Sequence, residues 1–184
     1  MEKLPKAAII MKVGPHSDMS LLEIIRSKEE EEKIHGVHYW GYSGCLCQPK
    51  PTQAFCKWAK EETGENPSII LIETKSSYKS SIGFITQFSL DNETYNSFKA
   101  PVQLQGAQYS YVARNLREID SFCPSHYVVY GGKNSGKLLP EHLRFRVNKS
   151  FATLKKDVNN KDDSEQMRVL IATLVEPYAI WLKE

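Results

Sequence analysis

Nowhere in its 184 residues does this chain string together an apolar run near the ~20 residues that a membrane-spanning helix requires. A helical membrane protein is thereby excluded. An excess of either charge is missing too: 24 Lys and Arg against 22 Asp and Glu leave a formal net charge of +2, too little to coat nucleic acid non-specifically. There is no compositional bias. With 41% hydrophobic and 25% charged residues, the chain has an average globular composition, which excludes collagen-like, low-complexity and wholly disordered classes. Cysteine is scarce. Cys45, Cys47, Cys56 and Cys123 would suit two disulfides in a secreted chain. However, the apolar stretch Ala7 to Met11 is too brief for a signal-peptide core, and neither end carries a lipidation motif. Free thiols in a reducing cytoplasm are the expectation. At this length one globular domain over residues 1–184 is expected, large enough to bury a core without covalent staples.

What is present reads as alternating elements. Ala7 to Val13 is a short continuous apolar run, a buried strand, broken by Gly14-Pro15. Ser20 with Glu23 forms a capping box ahead of Leu21, Leu22, Ile24 and Ile25, so a helix begins there. Its distal part, Lys28 to Lys33, is almost wholly charged and is expected to project into solvent until Gly36 ends it. Val37 to Tyr42 is an aromatic-rich strand. A proline-containing loop, Gln48 to Thr52, leads to a second helix capped by Thr52, carrying Phe55, Trp58 and Ala59 at i, i+3 and i+4 and ending at Gly64. Ser68 to Thr74 is the clearest strand.

Short strands follow at Gly83 to Phe88, Val102 to Leu104, Tyr109 to Val112 and Tyr127 to Tyr130, with one or two helical turns over Ala113 to Asp120. Leu143 to Val147 alternates strictly and reads as a half-buried strand. Asp163 with Gln166 opens a final helix. In it Met167, Leu170, Ile171, Leu174 and Val175 fall at i, i+3, i+4, i+7 and i+8, until Pro177 limits it. The expected fold is α/β or α+β: a single domain with a mixed sheet and about three helices. Its N-terminal half is βαβαβ-like, its second half mostly β, and a helix closes the chain.

Charge is unevenly spread. From Lys133 to Lys156 seven cations face only Glu141, so this segment is +6 and the rest of the chain −4. In the 143–147 strand, period two would place Arg144 and Arg146 side by side on one face, opposite Leu143, Phe145 and Val147. Paired guanidiniums engage phosphates or carboxylates through forked hydrogen bonds. Lys133 and Lys137 lie in Gly131 to Lys137, which has phosphate-loop spacing. Leu138 stands where a magnesium-ligating hydroxyl is needed, and Pro140 obstructs the long helix that should follow, so a glycine-rich turn is the better reading. Aromatics supply a second half-site: Trp40, Tyr42, Tyr109 and Tyr111 for stacking, near Arg114, with Gln105, Gln108 and Ser110 as polar donors.

Other chemistries are less well marked. Cys45-Leu46-Cys47 has the wrong spacing for structural zinc, and no second pair follows, so no metal and no cofactor are expected. A cysteine nucleophile needs a histidine base; His16, His38, His126 and His142 are candidates, and Glu73 is a strand-end acid. If the chain is an enzyme, a hydrolase or transferase acting on a nucleotide-type ligand, its set is His38, Cys45 and Glu73. The primary expectation is a non-catalytic cytoplasmic module. It binds a phosphorylated, base-containing ligand, such as a nucleotide, a nucleotide-derived signal or a nucleic-acid segment. Its site residues would be Trp40, Tyr42, Tyr109, Tyr111, Arg114, Lys133, Lys137, Arg144 and Arg146. Partners are therefore an anionic small molecule or nucleic acid and no membrane, with a homo-oligomer left open. A protein-interaction subunit docking through the charged helix of Glu23 to Lys33, or through Tyr178 to Leu182, is the third class.

Overall fold

Nine strands and three helices occur among the described residues of the computed structural model, which are 3–14, 19–74, 83–104, 106–144, 147–158 and 165–183. The order begins with β1 (Ala7–Val13), α1 (Leu21–His35), β2 (His38–Tyr42), α2 (Pro49–Thr63) and β3 (Ser68–Glu73). It continues with β4 (Gly83–Ser89), β5 (Tyr95–Leu104), β6 (Tyr109–Phe122), a single 3-10 turn (Pro124–His126) and β7 (Tyr127–Val129). Next come α3 (Leu139–Leu143), β8 (Lys149–Leu154) and β9 (Met167–Lys183). The fold is mixed α/β, with one sheet of mixed strand direction.

The strands lie in the order β2-β6-β9-β3-β1-β8-β7. β1 and β3 are parallel neighbours, and the remaining pairings are antiparallel. β1 shows why its sequence is a continuous apolar run. Ala7 and Ile9 enter one core cluster while Ala8 and Ile10 enter another on the opposite face, as in any strand covered on both sides. Phe55, Cys56 and Ala59 of α2 are buried in the first cluster, with Leu21, Ile24 and Ile25 of α1 packed against it.

β9 pairs with β3 through Leu170 to Thr173 and with β4 through Trp181 to Lys183. The change of neighbour spans Tyr178, whose φ of 66° is left-handed. The β4–β5 hairpin thus starts a third core, in which Ile85, Val102 and Leu104 meet Tyr39, Val112 and Ile180. Gly41 of β2 permits that closure, because a Cβ there would lie 2.8 Å from the Cβ of Ala107.

Local signals were accurate at the start of α1 and at the C-terminal ends of α1 and α2. Ser20 Oγ accepts from Glu23 N (3.3 Å) and the Glu23 carboxylate accepts from Ser20 N (2.6 Å). Gly36 and Gly64 terminate α1 and α2 in the left-handed region. α2 starts earlier than its expected Thr52 cap, with Pro49 in the first turn, where its missing N–H costs nothing. Thr52 instead sits in the helix and donates to the Cys47 carbonyl at 2.8 Å.

Four expectations are overturned. The expected C-terminal helix is strand β9. Its residues Val169 to Ala172 are all buried, and a run buried on both faces satisfies a 3.6-residue spacing without being helical. Ala113 to Asp120 is also strand, inside β6, where register shifts opposite β9 erase the alternation that would have revealed it. The strand expected from Leu143 does not start there: Leu143 ends α3 and Arg144 follows it, whereas Phe145 and Arg146 lie outside the described residues. Pro140, placed in the first turn, starts this helix. The distal part of α1 is anchored, with Lys28 and Glu31 buried against β2.

Candidate functional site

α2 places Pro51, Ala54, Phe55 and Trp58 at i, i+3, i+4 and i+7, one helical stripe, and that stripe forms a wall of a cleft of about 700 Å³. This volume suits a small-molecule ligand. The opposite wall is Val129, Tyr130 and the turn Gly131 to Asn134. Lys149, Ser150 and Phe151 of β8 supply the floor, and Leu46, Cys47 and His142 complete the lining.

The walls meet in a layer of four rings. Trp58 stacks on Tyr130 with centroids 4.2 Å apart and planes at 26°. Phe55 stacks on Phe151 at 4.6 Å and 15°, and Phe55 also meets Tyr130 at 5.2 Å. Trp58, Tyr130 and Phe151 remain half-buried, so edges and faces of this layer border the open cleft. Such rings offer a planar ligand stacking partners that are already in place.

Lys149 is the cation of the floor. Only 5% exposed, its Nζ donates to the Ser43 carbonyl (3.1 Å) and to Asn148 Oδ1 (3.2 Å), and it sits 5.4 Å from the Tyr42 ring centroid. No carboxylate among the described residues forms an ion pair with it. Burial lowers its pKa, opposed by the neighbouring thiols of Cys47 and Cys45. Burial also pushes the Cys47 thiol up to about 12, against the pull of Lys149, so at neutral pH Cys47 is a thiol and not a nucleophilic thiolate.

The glycine-rich segment is a turn, not a phosphate loop. Gly136 N donates to the Val129 carbonyl (2.8 Å), Lys137 N to Asn134 O (3.1 Å) and Ser135 N to Gly132 O (3.3 Å). Gly131 N donates to Ser135 Oγ (3.1 Å). Most of its N–H groups are thus consumed internally. Gly131 and Gly132, at φ 78° and 69°, supply consecutive left-handed residues that a side chain would strain. The turn carries Lys133 onto the rim of the cleft.

The expected site residues are dispersed. Trp40, Tyr42 and Tyr111 are 6%, 5% and 0% exposed, and Tyr42 lies stacked on Tyr111 at 4.1 Å and 12°. They are core rings, packed because alternate residues of β2 and β6 face inward. Tyr109 borders a different, polar pocket with Gln48 and Trp181. Arg114 is exposed on β6. Lys137 is exposed in the turn, Arg144 is exposed just past α3, and Arg146 is outside the described residues.

His38, Cys45 and Glu73 do not converge. His38 is fully buried, its Nδ1 2.9 Å from Glu32 Oε2; Cys45 is exposed in the bend beyond the other end of β2. Glu73 ends β3, with β6 and β9 between that strand and β2. The alternative docking segments are packed in part, and α1 keeps Glu23, Glu29, Glu30 and Lys33 exposed. Tyr178, Ala179 and Ile180 are buried in β9, and α1 is packed on β2. Among the described residues no three His, Cys, Asp or Glu gather to hold a metal, and no helix is long and apolar enough to cross a membrane.

Sequence reasoning named Lys133 and missed Trp58, Tyr130, Phe151 and Lys149 as cleft residues. The α2 stripe was visible but reads equally as core, and nothing local distinguishes Lys149 from a solvated lysine. No family model, curated protein or solved structure matches this chain.

Proposed function

We propose that this protein binds a small phosphorylated, base-containing ligand in the α2–β8 cleft and does so without chemistry. One observation carries the reading: Lys149 is a buried ammonium with no carboxylate partner among the described residues, at the floor of an aromatic-walled cleft. Burying a charge is expensive unless it is paired, and an anion entering the cleft supplies the missing partner. Two of the three ammonium donors are engaged, leaving one for the ligand. The half-buried faces around Trp58 and Tyr130 suit a base, and Lys133 adds positive charge at the rim.

Calorimetric titration with AMP, GMP, CMP and UMP, beside the four matching nucleosides, tests this. At least one monophosphate binds, its nucleoside binds much more weakly, and Lys149→Met lowers the affinity by about tenfold to a hundredfold, as loss of a charged hydrogen bond requires. Absence of binding by all four monophosphates overturns the reading, as does equal affinity for the nucleoside.

A further inference from the structure

The chain brings three cationic or protonatable groups to one end of the cleft. β7 pairs with β8 in the register Val129 to Ala152, and Tyr130 N donates to the Phe151 carbonyl (3.0 Å). Beyond Tyr130 the chain turns through the left-handed Gly131 and Gly132, and the turn lines the cleft together with Ser150 and Lys149. On the other side of β8, β1 pairs Met11 with Lys149. Lys12 Nζ then donates to the Leu143 carbonyl at 2.6 Å, which ties the C-terminal turn of α3 to this end. His142, one residue before Leu143, lines the same cleft as Lys133 and Lys149. Lys133, His142 and Lys149 thus line one cleft from a turn, a helix and a strand.

A terminal phosphate offers three oxygens, one for each donor, and carries about −1.5 to −2 charge near neutral pH. A phosphodiester has two free oxygens and a single charge. Resting on the nucleotide-binding reading, we propose that this end of the cleft receives a terminal phosphate and that His142 meets it as an imidazolium, so that capture of the anion takes up a proton.

The surroundings of His142 set the sign. Lys12 of β1, Lys133 and Lys137 of the turn and Lys149 of β8 are cations, and Arg144 follows on its own chain segment. Glu141, the neighbouring residue of α3, is an exposed carboxylate, and His126 lies in the 3-10 turn packed against α3. Burial, then Lys137 and Lys12, holds the free imidazole below its ordinary pKa. An anion beside it acts in the opposite direction. Between the free and bound midpoints the complex therefore holds one more proton. Affinity rises as pH falls through that window, about tenfold for each unit by which the midpoint moves.

The experiment takes the tightest-binding of the four 5′-monophosphates and its 3′,5′-cyclic counterpart. Titrations in buffers of different ionisation enthalpy count the protons taken up by wild type, His142→Gln and Lys137→Met. Because the phosphate's own titration is common to all three proteins, the differences isolate His142. The expected results are weaker binding of the cyclic nucleotide, more protons taken up by wild type than by His142→Gln, and an intermediate uptake in Lys137→Met, whose free imidazole is already easier to protonate. Equal uptake in wild type and His142→Gln removes the imidazolium, and equal affinity for the cyclic nucleotide removes the terminal phosphate. In both cases nucleotide binding itself stands. If no monophosphate binds to wild type, the cleft reading falls and this inference with it.

Discussion

Lys28 and Lys149 are both buried, and each lies over a ring of β2: Lys28 5.5 Å from the Trp40 centroid and Lys149 5.4 Å from that of Tyr42. The two rings point to the same side of the strand, two residues apart. Their chemical settings differ. Lys28 Nζ is 3.0 Å from Glu31 Oε2, the same oxygen that accepts from Tyr39 N at 2.8 Å. Beside this pair Glu32 joins His38 and accepts from Asn115 N at 3.1 Å. That corner is a closed network binding α1 to β2 and β6. Lys149 has carbonyl acceptors and a ring, but no carboxylate among the described residues. The difference teaches that burial of a lysine carries no function by itself; what matters is whether the fold already supplies its counter-ion.

The largest expected effect breaks this comparison most directly. Glu31→Ala leaves the Lys28 charge buried and unpaired and costs about 3–5 kcal/mol, whereas Lys149→Met changes the ligand-free stability by about 1 kcal/mol or less. Urea unfolding of both variants measures the contrast. The double variant Lys28→Met/Glu31→Gln, which removes the charges together, regains most of the loss. Equal costs for Glu31→Ala and Lys149→Met would erase the distinction between the corners.

Next in size is the division between the rings. Trp58→Ala lowers affinity for the tightest monophosphate by about 1–3 kcal/mol, the worth of one stacked base, while Trp40→Phe leaves it unchanged. Calorimetry showing the reverse would put the ligand against β2 instead of α2. The smallest effect is pH dependence at the closed corner. Burial holds the His38 pKa below its ordinary value despite the pull of Glu32, so the unfolded chain binds the proton more readily. Stability from this residue is complete above the ordinary imidazole pKa and is lost as pH falls toward the lowered one. Unfolding free energies at pH 7.5 and 5.5 should therefore drop less in His38→Gln than in wild type; an unchanged drop would mean His38 does not titrate with folding.

Legibility in the sequence followed the range of the physics. The capping box of Ser20 and Glu23 and the terminating Gly36 and Gly64 are decided within a few residues, and they appear where they were expected. β9 was misread because complete burial of Val169 to Ala172 leaves no polar residue to mark the period. β6 was misread because its register shifts depend on β9, a strand roughly sixty residues away. At the site, the +6 segment did contain two cleft cations, Lys133 and Lys149. Of the expected arginine pair, Arg144 directly follows α3, which Pro140 helps to start, and Arg146 lies outside the described residues.

By itself, then, the sequence determined a near-neutral chain of mixed α/β character, the start of α1, the C-terminal ends of α1 and α2, its most apolar strands and the location of its positive charge along the chain. Those properties depend on composition and on contacts a few residues apart. Only the tertiary structure decided which aromatics are core and which line a cleft, and which buried lysine is neutralised. Lys28 finds Glu31 within one helical turn, but the state of Lys149 is set by Ser43, Tyr42 and the walls contributed by α2 and β7. An unpaired charge is a property of everything around it, and those surroundings exist only after the chain has folded.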